Sequence, residues 1–303
     1  FSSASTAYAT GTATGGLIID GTGDITAPDG TYAYTATDKT LMLNGYNGGV
    51  IRFTAEDDVT VKLEPGTTNT ITLSDSAVTE NQYGVYAAGN LTVTGNGTLN
   101  INLDISGAGD EITTEYGKAL YGLYAKSLTV NGEINVNVNL TSNGFSCGMF
   151  ATGNITVAEK ANLDIKCRSK YKNTNFYSPN KVVYGIYSEN GDIKLSGTGT
   201  KNIEHTCPVD FAQEKEAKGV YAENDKQKGG GKIEISACID RLRGNFGFFR
   251  DDLLRRHGVC GFLRFDRLCI RCQHAERQAG QEHCQQEQCG GHSFQFHRAT
   301  SHQ

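Results

Sequence analysis

The stretch YGVYAAGNLTVTGNGTLNINL, residues 83–103, alternates apolar and polar residues and pauses at glycine or asparagine. A period of two is typical of β-strands with one buried face, and the pauses are typical of turns. We interpret the stretch as three short strands, GVYA, LTV and LNINL. Four variants of the phrase follow it, and the five glycine anchors are Gly84, Gly122, Gly148, Gly185 and Gly219.

The anchors lie 26–38 residues apart, a period that is typical of solenoids. Stacking of the units is expected to close a continuous core, because no single unit can bury its apolar face alone. The repeat therefore predicts an all-β fold, a single-stranded parallel β-helix with variable loops on one edge. Analogy among folds makes it right-handed. The apolar column beside the anchors consists of Val85, Leu123, Met149, Ile186 and Val220.

The alternation also predicts which residues of neighbouring units lie side by side. In the third strand it matches Leu99, Ile101 and Leu103 with Ile134, Val136 and Val138, respectively. Upstream, residues 30–45 and 48–73 are predicted to form two more divergent coils. Cys167 is in phase with Leu163 and Ile165, which favours a small core residue over half of a disulfide.

The composition changes abruptly near residue 239. Sixteen Lys and 2 Arg precede it, whereas 10 Arg and no Lys follow. An out-of-frame reading of the coding sequence would produce such a swap, and a genuine Cys/His-rich appendage with a zinc-like CxxC pair is the alternative. The predicted domains are an N-terminal cap over 1–29, coils over 30–238 and an out-of-frame or disordered tail over 239–303.

The charge pattern excludes some partners. The net charge is −5, and acidic residues outnumber basic ones by 26 to 18 before residue 239. An acidic body without a basic stripe argues against nucleic acid as a partner. No run approaches the roughly 18 apolar residues of a spanning helix, so no membrane insertion is expected. The chain begins at Phe1 without a signal-peptide pattern, which we interpret as a mature or excised fragment.

Unit length varies mainly between the third strand and the next glycine, so the predicted loops line one edge, where function is expected. The first candidate loop is acidic and could bind calcium through Asp104, Asp110 and Glu111; a solvated acidic loop is the alternative. The second interleaves cations with rings, which suits an acidic sugar. A solvated loop whose rings pack on the coil is its alternative. Its candidate residues are Arg168, Tyr171, Phe176 and Tyr177.

A third candidate is a ladder of aromatic residues, one in each unit. Alternation places it out of phase with the apolar column, so it should face outward and could bind a glycan chain lying along the axis. Its alternative role is to stabilise the stack or to lie beneath a loop. The ladder consists of Tyr86, Tyr124, Phe150, Tyr187 and Tyr221.

Catalytic patterns are sparse. The chain before residue 239 offers no pair of carboxylates at a convincing register and no nucleophile beside a base, so we predict no catalytic residue. No cofactor is predicted, with calcium as the one possibility.

The phrases LMLNGYNGG, GVYAAGNLTVTGNGTLNI and GLYAKSLTVNGEINV resemble secreted carbohydrate-binding-domain-containing β-helix proteins of clostridia and other gut or rumen Firmicutes. That family is related in shape to pectate lyases, and the resemblance covers roughly residues 30–236. It implies a secreted or cell-surface protein that binds polysaccharide or a surface glycan, with calcium in some relatives. The expected function is a non-catalytic polysaccharide-binding or adhesive protein (an adhesin). A calcium-dependent polysaccharide lyase and a structural surface spacer are the alternatives.

Overall fold

The computed structural model describes residues 16–107, 118–170 and 183–206 and, beyond them, five strands between residues 217 and 269. Every regular element in these ranges is a β-strand, so the predicted all-β class is confirmed, and no described helix could cross a membrane. In chain order the strands are β1 (Leu17–Ile19), β2 (Ile25–Thr26), β3 (Tyr32–Thr35), β4 (Thr40–Leu43), β5 (Asn47–Gly48), β6 (Ile51–Phe53), β7 (Val59–Leu63), β8 (Thr68–Ser74), β9 (Gln82–Ala87), β10 (Leu91–Gly95), β11 (Thr98–Asp104), β12 (Leu120–Ala125), β13 (Leu128–Val130), β14 (Asn135–Ser142), β15 (Ser146–Ala151), β16 (Ile155–Val157), β17 (Asn162–Ser169), β18 (Val183–Ser188), β19 (Ile193–Leu195), β20 (Lys201–Thr206), β21 (Ala217–Ala222), β22 (Ile233–Ile235), β23 (Cys238–Arg243), β24 (Asn245–Gly247) and β25 (Phe265–Cys269).

The strands form three sheets. Sheet A has the order β1-β6-β9-β12-β15-β18-β21-β24, sheet B the order β2-β3-β4-β7-β10-β13-β16-β19-β22, and sheet C the order β25-β23-β20-β17-β14-β11-β8-β5. From β6 to β23 the chain visits A, B and C in turn, so each unit gives one strand to each sheet. Neighbouring units pair in parallel throughout this range, as β9, β10 and β11 do with β12, β13 and β14.

The start of the chain departs from the predicted coils. Residues 48–73 supply β6, β7 and β8, one to each sheet, as expected. Residues 30–45 do not form a coil, because β3 and β4 pair antiparallel through Tyr34↔Leu41. A parallel crossover needs about a dozen residues or more, whereas only four separate these strands. Apolar and polar residues alternate in the same way in a parallel coil and in an antiparallel hairpin, so the sequence pattern could not distinguish the two.

Strands also occur on both sides of the predicted domain boundaries. Strand β1, within the stretch assigned to the cap, pairs in parallel with β6. Beyond residue 238, β23 pairs in parallel with β20 and antiparallel with β25. The boundaries at 29 and 238, and an out-of-frame origin of the tail, stay predictions.

The predicted apolar column is buried and in register. Leu123 pairs with Val85 and Met149, and Ile186 pairs with Met149 and Val220, all at most 1% exposed. Cys167 is a free thiol in the same core, as expected, and burial raises its pKa.

The predicted register of the third strand was wrong by two residues. Leu99 pairs with Val136 and Leu103 with Leu140, whereas Ile134 is buried just before β14. A slip of two leaves every side chain on its own face, so the apolar pattern could not detect it.

The anchor glycines are required by close packing inside the stack. A Cβ built at Gly84 would lie 2.7 Å from the carbonyl O of Gly122 and closer still to Ile101 of sheet C. At Gly148 it would lie 2.7 Å from the carbonyl O of Gly185 and closer to Ile165. The pairing of sheet A joins the residues on either side of the anchors and not the anchors themselves. Each anchor therefore interrupts the alternation of its strand, and the residue after it also faces the core.

The connections from sheet C to sheet A vary most in length among units. They contain 7, 15, 3, 13 and 10 residues, at 75–81, 105–119, 143–145, 170–182 and 207–216. The connections from B to C, from β7 to β23, contain only two to five. Insertions thus collect where the chain returns to sheet A.

Candidate functional site

The outer face of sheet A carries two columns of aromatic rings. The interruption at each anchor places residues three apart on one face, so the phrase Tyr83-Gly84-Val85-Tyr86 directs both tyrosines outward and the valine inward. The Tyr83 and Tyr86 ring centroids are 5.0 Å apart. Strict alternation would have put these two rings on opposite faces.

The first column is the predicted ladder. Tyr86 and Tyr124 stack with centroids 5.3 Å apart, and Tyr124 stacks on Phe150 at 4.9 Å. Phe150 meets Tyr187 edge to face at 5.3 Å. Tyr221 is in register with Tyr187, and its side chain lies outside the described residues. The ladder is thus present on one face in units one to four.

The second column was missed from sequence. Tyr83 and Tyr121 stack at 5.2 Å with planes 9° apart, and Phe145 follows Tyr121 at 5.4 Å. Tyr184 lies 5.7 Å beyond Phe145. In unit three the residue in register with Tyr121 and Tyr184 is Cys147. The Phe145 ring takes the place of a ring there and contacts both tyrosines. Tyrosine before the anchor in three of five units is the signal that could have revealed this column.

Exposure of the rings falls along the stack. Tyr83, Tyr86, Tyr121 and Tyr124 are partly exposed. Among the later rings, Phe150 and Tyr187 are 7% exposed and Tyr184 is fully buried. These later rings form a hydrophobic cluster with Cys147, separate from the main core. Among the described rings, those of units one and two and Phe145 of unit three are therefore accessible to a ligand, whereas Phe150, Tyr184 and Tyr187 stabilise the stack.

The columns begin at a cation. Arg52 of β6 is in register with Tyr86, and its Cζ lies 5.1 Å from the Tyr86 ring centroid. Arg52 is exposed and has no ion pair within the described residues. On the outer face of sheet A no described ring precedes Tyr83, because the outward positions of β1 and β6 hold Ile18 and Arg52. We call Arg52, Tyr83 and Tyr86 the strip end.

The electrostatics of the strip end are mixed. Burial raises the pKa of Tyr83 and of Tyr124, so both phenols are neutral at physiological pH. The Asn81 side chain is hydrogen-bonded to Tyr83, and Arg52 and Glu80 act on it through their charges. The strip end therefore combines ring surface, hydroxyl and amide groups, and charges of both signs.

The other two sheets present no such rings within the described residues. The outer face of sheet B carries a column of threonines, Thr60, Thr92, Thr129 and Thr156. On sheet C, the Asn137 amide donates to Asn100 at 2.8 Å. Among the described residues, outward columns of rings are thus confined to sheet A.

The acidic loop is described only at its start. The Asp104 carboxylate accepts hydrogen bonds from the Ser106 hydroxyl at 2.6 Å and backbone N–H at 2.9 Å. Asp110 and Glu111 lie outside the described residues. Within those residues no three metal-ligating side chains come together. Calcium binding here stays a prediction.

The basic loop is likewise only partly described. Arg168 is exposed on β17 of sheet C, in register with Thr141 and Thr206. Tyr171, Phe176 and Tyr177 lie outside the described residues. Arg168 is thus not part of the aromatic columns, and its contact with a sugar stays a prediction.

Residues 39–115, about a quarter of the chain, match the model of a family described as "carbohydrate-binding domain-containing protein". Comparisons with curated proteins and with solved structures give no significant match. The matched segment runs from the turn before β4 to beyond β11. It contains the whole strip end and stops before Tyr121.

Proposed function

We propose that this chain is a non-catalytic extracellular protein that binds polysaccharide, or attaches a cell to it, through the strip end. The observation that carries the proposal is the set of partly exposed rings at Tyr83 and Tyr86 beside the exposed guanidinium of Arg52. Aromatic rings with adjacent hydrogen-bonding groups suit a sugar, which has both C–H faces and hydroxyls. The carbohydrate-binding family match over residues 39–115 supports the same ligand class.

The architecture that we propose is a single-stranded right-handed parallel β-helix. Its support is the regular visit of the chain to sheets A, B and C, with parallel pairing of successive units. In such a coil all C-to-A connections leave at one corner, next to the first residues of the sheet A strands. The second ring column, which begins each of these strands, then lies beside that corner.

Ring stacking determines how a glycan can bind. Tyr86, Tyr124 and Phe150 cover one another's faces at 4.9–5.3 Å, so a sugar cannot lie flat on the inner rings. Their edges remain available in units one and two. The face of Tyr83 that no described ring covers is the place for a sugar to stack. We therefore propose that the glycan crosses the strip at its amino-terminal end and does not run along the axis.

The test is retention on insoluble polysaccharides and mobility in gels that contain soluble ones, pectin included. Tyr83→Ala and Arg52→Ala should each weaken binding by up to about tenfold, since a ring contact or cation–π contact contributes about 0.5–1.5 kcal/mol. Lys62→Ala is the matched control, because it removes an exposed cation from sheet B. Equal retention of all three variants and the parent protein would refute the assignment to the strip end.

The same samples separate the alternatives. A calcium-dependent lyase would release unsaturated product, which is followed by ultraviolet absorbance with polygalacturonate and calcium, with and without chelator. A structural spacer would bind none of the polysaccharides, and Tyr83→Ala would change only its stability. Retention without product is the expected result. Detection of the protein in the culture medium or on the cell surface tests the proposed location.

A further inference from the structure

A cavity of about 400 Å³ lies at the amino-terminal end of the stack; none of its lining residues belongs to the strip end, although Ile18 in its wall is in register with Arg52. The first strand of each sheet contributes to it, because its lining includes Leu17 and Ile18 of β1, Ile25 of β2 and Asn47 of β5. The volume falls within the range of ligand pockets, about 300–1,000 Å³. A ligand the size of a mono- or disaccharide fits this space.

The cavity wall combines two rings with free hydrogen-bonding groups. Tyr32 and Tyr46 meet edge to face with centroids 5.8 Å apart. Tyr46 is buried and donates its hydroxyl to the carbonyl O of Gly49 at 2.9 Å, so its ring is fixed in place. Tyr32 is partly exposed, and its hydroxyl has no partner within the described residues. Tyr46 is thus a fixed part of the cavity wall, whereas Tyr32 can contact a ligand with both its ring and its hydroxyl.

The polar groups of the lining are a carboxylate and an amide. Asp29 Oδ1 accepts hydrogen bonds from the Thr31 hydroxyl at 2.7 Å and backbone N–H at 3.1 Å, and these bonds lower the Asp29 pKa. They hold the carboxylate in one orientation and leave Oδ2 available. The exposed Asn47 amide has no hydrogen-bond partner within the described residues. Both groups are ready to bind hydroxyls.

The charge of the lining selects among sugars. Among the described residues that line it, Asp29 is the one charged residue, and none is a Lys, Arg or His. An anionic sugar would meet the Asp29 carboxylate without a compensating cation. A neutral sugar would offer hydroxyl donors to that carboxylate and apolar C–H groups to Tyr32 and Ile18.

We propose that this cavity is a second binding site, for a neutral mono- or disaccharide unit, held by Asp29 and Asn47 against the Tyr32 ring. The site shares no lining residue with the strip end, which carries the guanidinium of Arg52 and is the part of the surface suited to a polysaccharide chain. The two sites therefore differ in charge preference as well as in position.

The test is isothermal titration calorimetry of the full chain with cellobiose, maltose and xylobiose as neutral probes and digalacturonate as the anionic probe. At least one neutral probe should bind, and more tightly than digalacturonate. Asn47→Ala and Asp29→Asn should each weaken that binding about five- to tenfold; the asparagine retains the acceptor for Thr31 and loses the charge. Asn96→Ala, an exposed amide at a later turn, is the matched control and should bind like the parent protein.

Tyr83→Ala should leave disaccharide binding unchanged while it lowers polysaccharide retention, so failure of one site is distinguishable from failure of the other. Absence of binding by all three neutral probes would overturn the proposal. Equal affinity of Asn47→Ala, Asp29→Asn and the parent protein would overturn it as well, and so would tighter binding of digalacturonate than of every neutral probe by the Arg52→Ala variant, whose strip end lacks the cation. Circular dichroism of each variant establishes that the fold is retained, because both substituted side chains are exposed.

Discussion

The anchor glycines give the sharpest test of the fold, through the substitution Gly122→Ala. The new methyl group would lie 2.5 Å from Val138 Cγ1 and nearer still to the carbonyl oxygen of Gly148. Contacts of this length do not occur for real Cβ atoms, so sheet A must move away from either its neighbouring strand or sheet C. One of the two contacted groups is backbone and cannot rotate out of the way.

The expected change in the free energy of unfolding of Gly122→Ala follows from two opposing effects. Overpacking of a close-packed core costs about 1–3 kcal/mol, and contact on two sides puts this site near the upper value. Alanine lowers the conformational entropy of the unfolded chain, which returns about 0.4–1 kcal/mol. The expected net loss is thus about 2 kcal/mol in the free energy of unfolding. For a denaturant slope of about 2 kcal/mol/M, the urea midpoint should fall by about 1 M.

The assay is urea unfolding followed by far-ultraviolet circular dichroism, with near-ultraviolet signal from the stacked tyrosines as a second probe. Gly23→Ala is the control, because a Cβ there meets no atom within 4 Å and its φ lies outside the left-handed region. The control should retain the parent midpoint or exceed it slightly. If Gly122→Ala unfolds at the same urea concentration as Gly23→Ala, the close approach of sheets A and C at the anchors is wrong.

Two further predictions concern buried titratable groups, Tyr46 near the amino-terminal end of the stack and two cysteines in its middle. Burial raises the pKa of Tyr46 to about 12, with a smaller effect of Tyr32. The tyrosine of the unfolded chain ionises first as pH rises above about 10, so the free energy of unfolding should fall between pH 10 and 12. The substitution Tyr46→Phe should remove part of that fall, as measured by thermal melts at a series of pH values. A parent protein and variant with parallel profiles would contradict this. Burial also raises the pKa of the Cys147 and Cys167 thiols. Neither should therefore be alkylated by iodoacetamide at pH 8 until guanidinium unfolds the chain. Peptide mass spectrometry measures the alkylation. Native-state labelling of either thiol would place it outside the core.

The sequence was sufficient to predict the apolar columns, because an apolar residue recurs at the same place in every unit, even where the anchor glycine interrupts strict alternation. Val85 and Leu123 are therefore in the core as expected. The register of Leu99 was not predictable to within two residues, since a shift of two keeps the same faces. The hairpin of β3 and β4 was missed for a related reason: strand alternation carries no information on direction.

The candidate site was only half predictable. The ladder that begins at Tyr86 follows from its phase relative to Val85. The column that begins at Tyr83 does not, because it depends on the interruption at the anchor glycine. The fall in exposure from Tyr124 to Tyr187 depends on what covers each unit, which a single repeat does not encode. The end cavity draws on non-repeating segments between residues 16 and 48, where no periodic signal exists.

The anchor glycine connects the core to the binding surface. Its missing side chain lets sheet A approach sheet C, and the same interruption turns Tyr83 and Tyr86 to one outer face. The partly exposed rings of Tyr83 and Tyr86 can change without a new clash in the core, since they lie on the outer face of sheet A. The glycine cannot change, because backbone and core atoms occupy the space of its Cβ. Variation in binding is therefore confined to the residues that flank each anchor and to the connections from sheet C to sheet A, whereas the anchors and apolar columns must stay as they are for the stack to close.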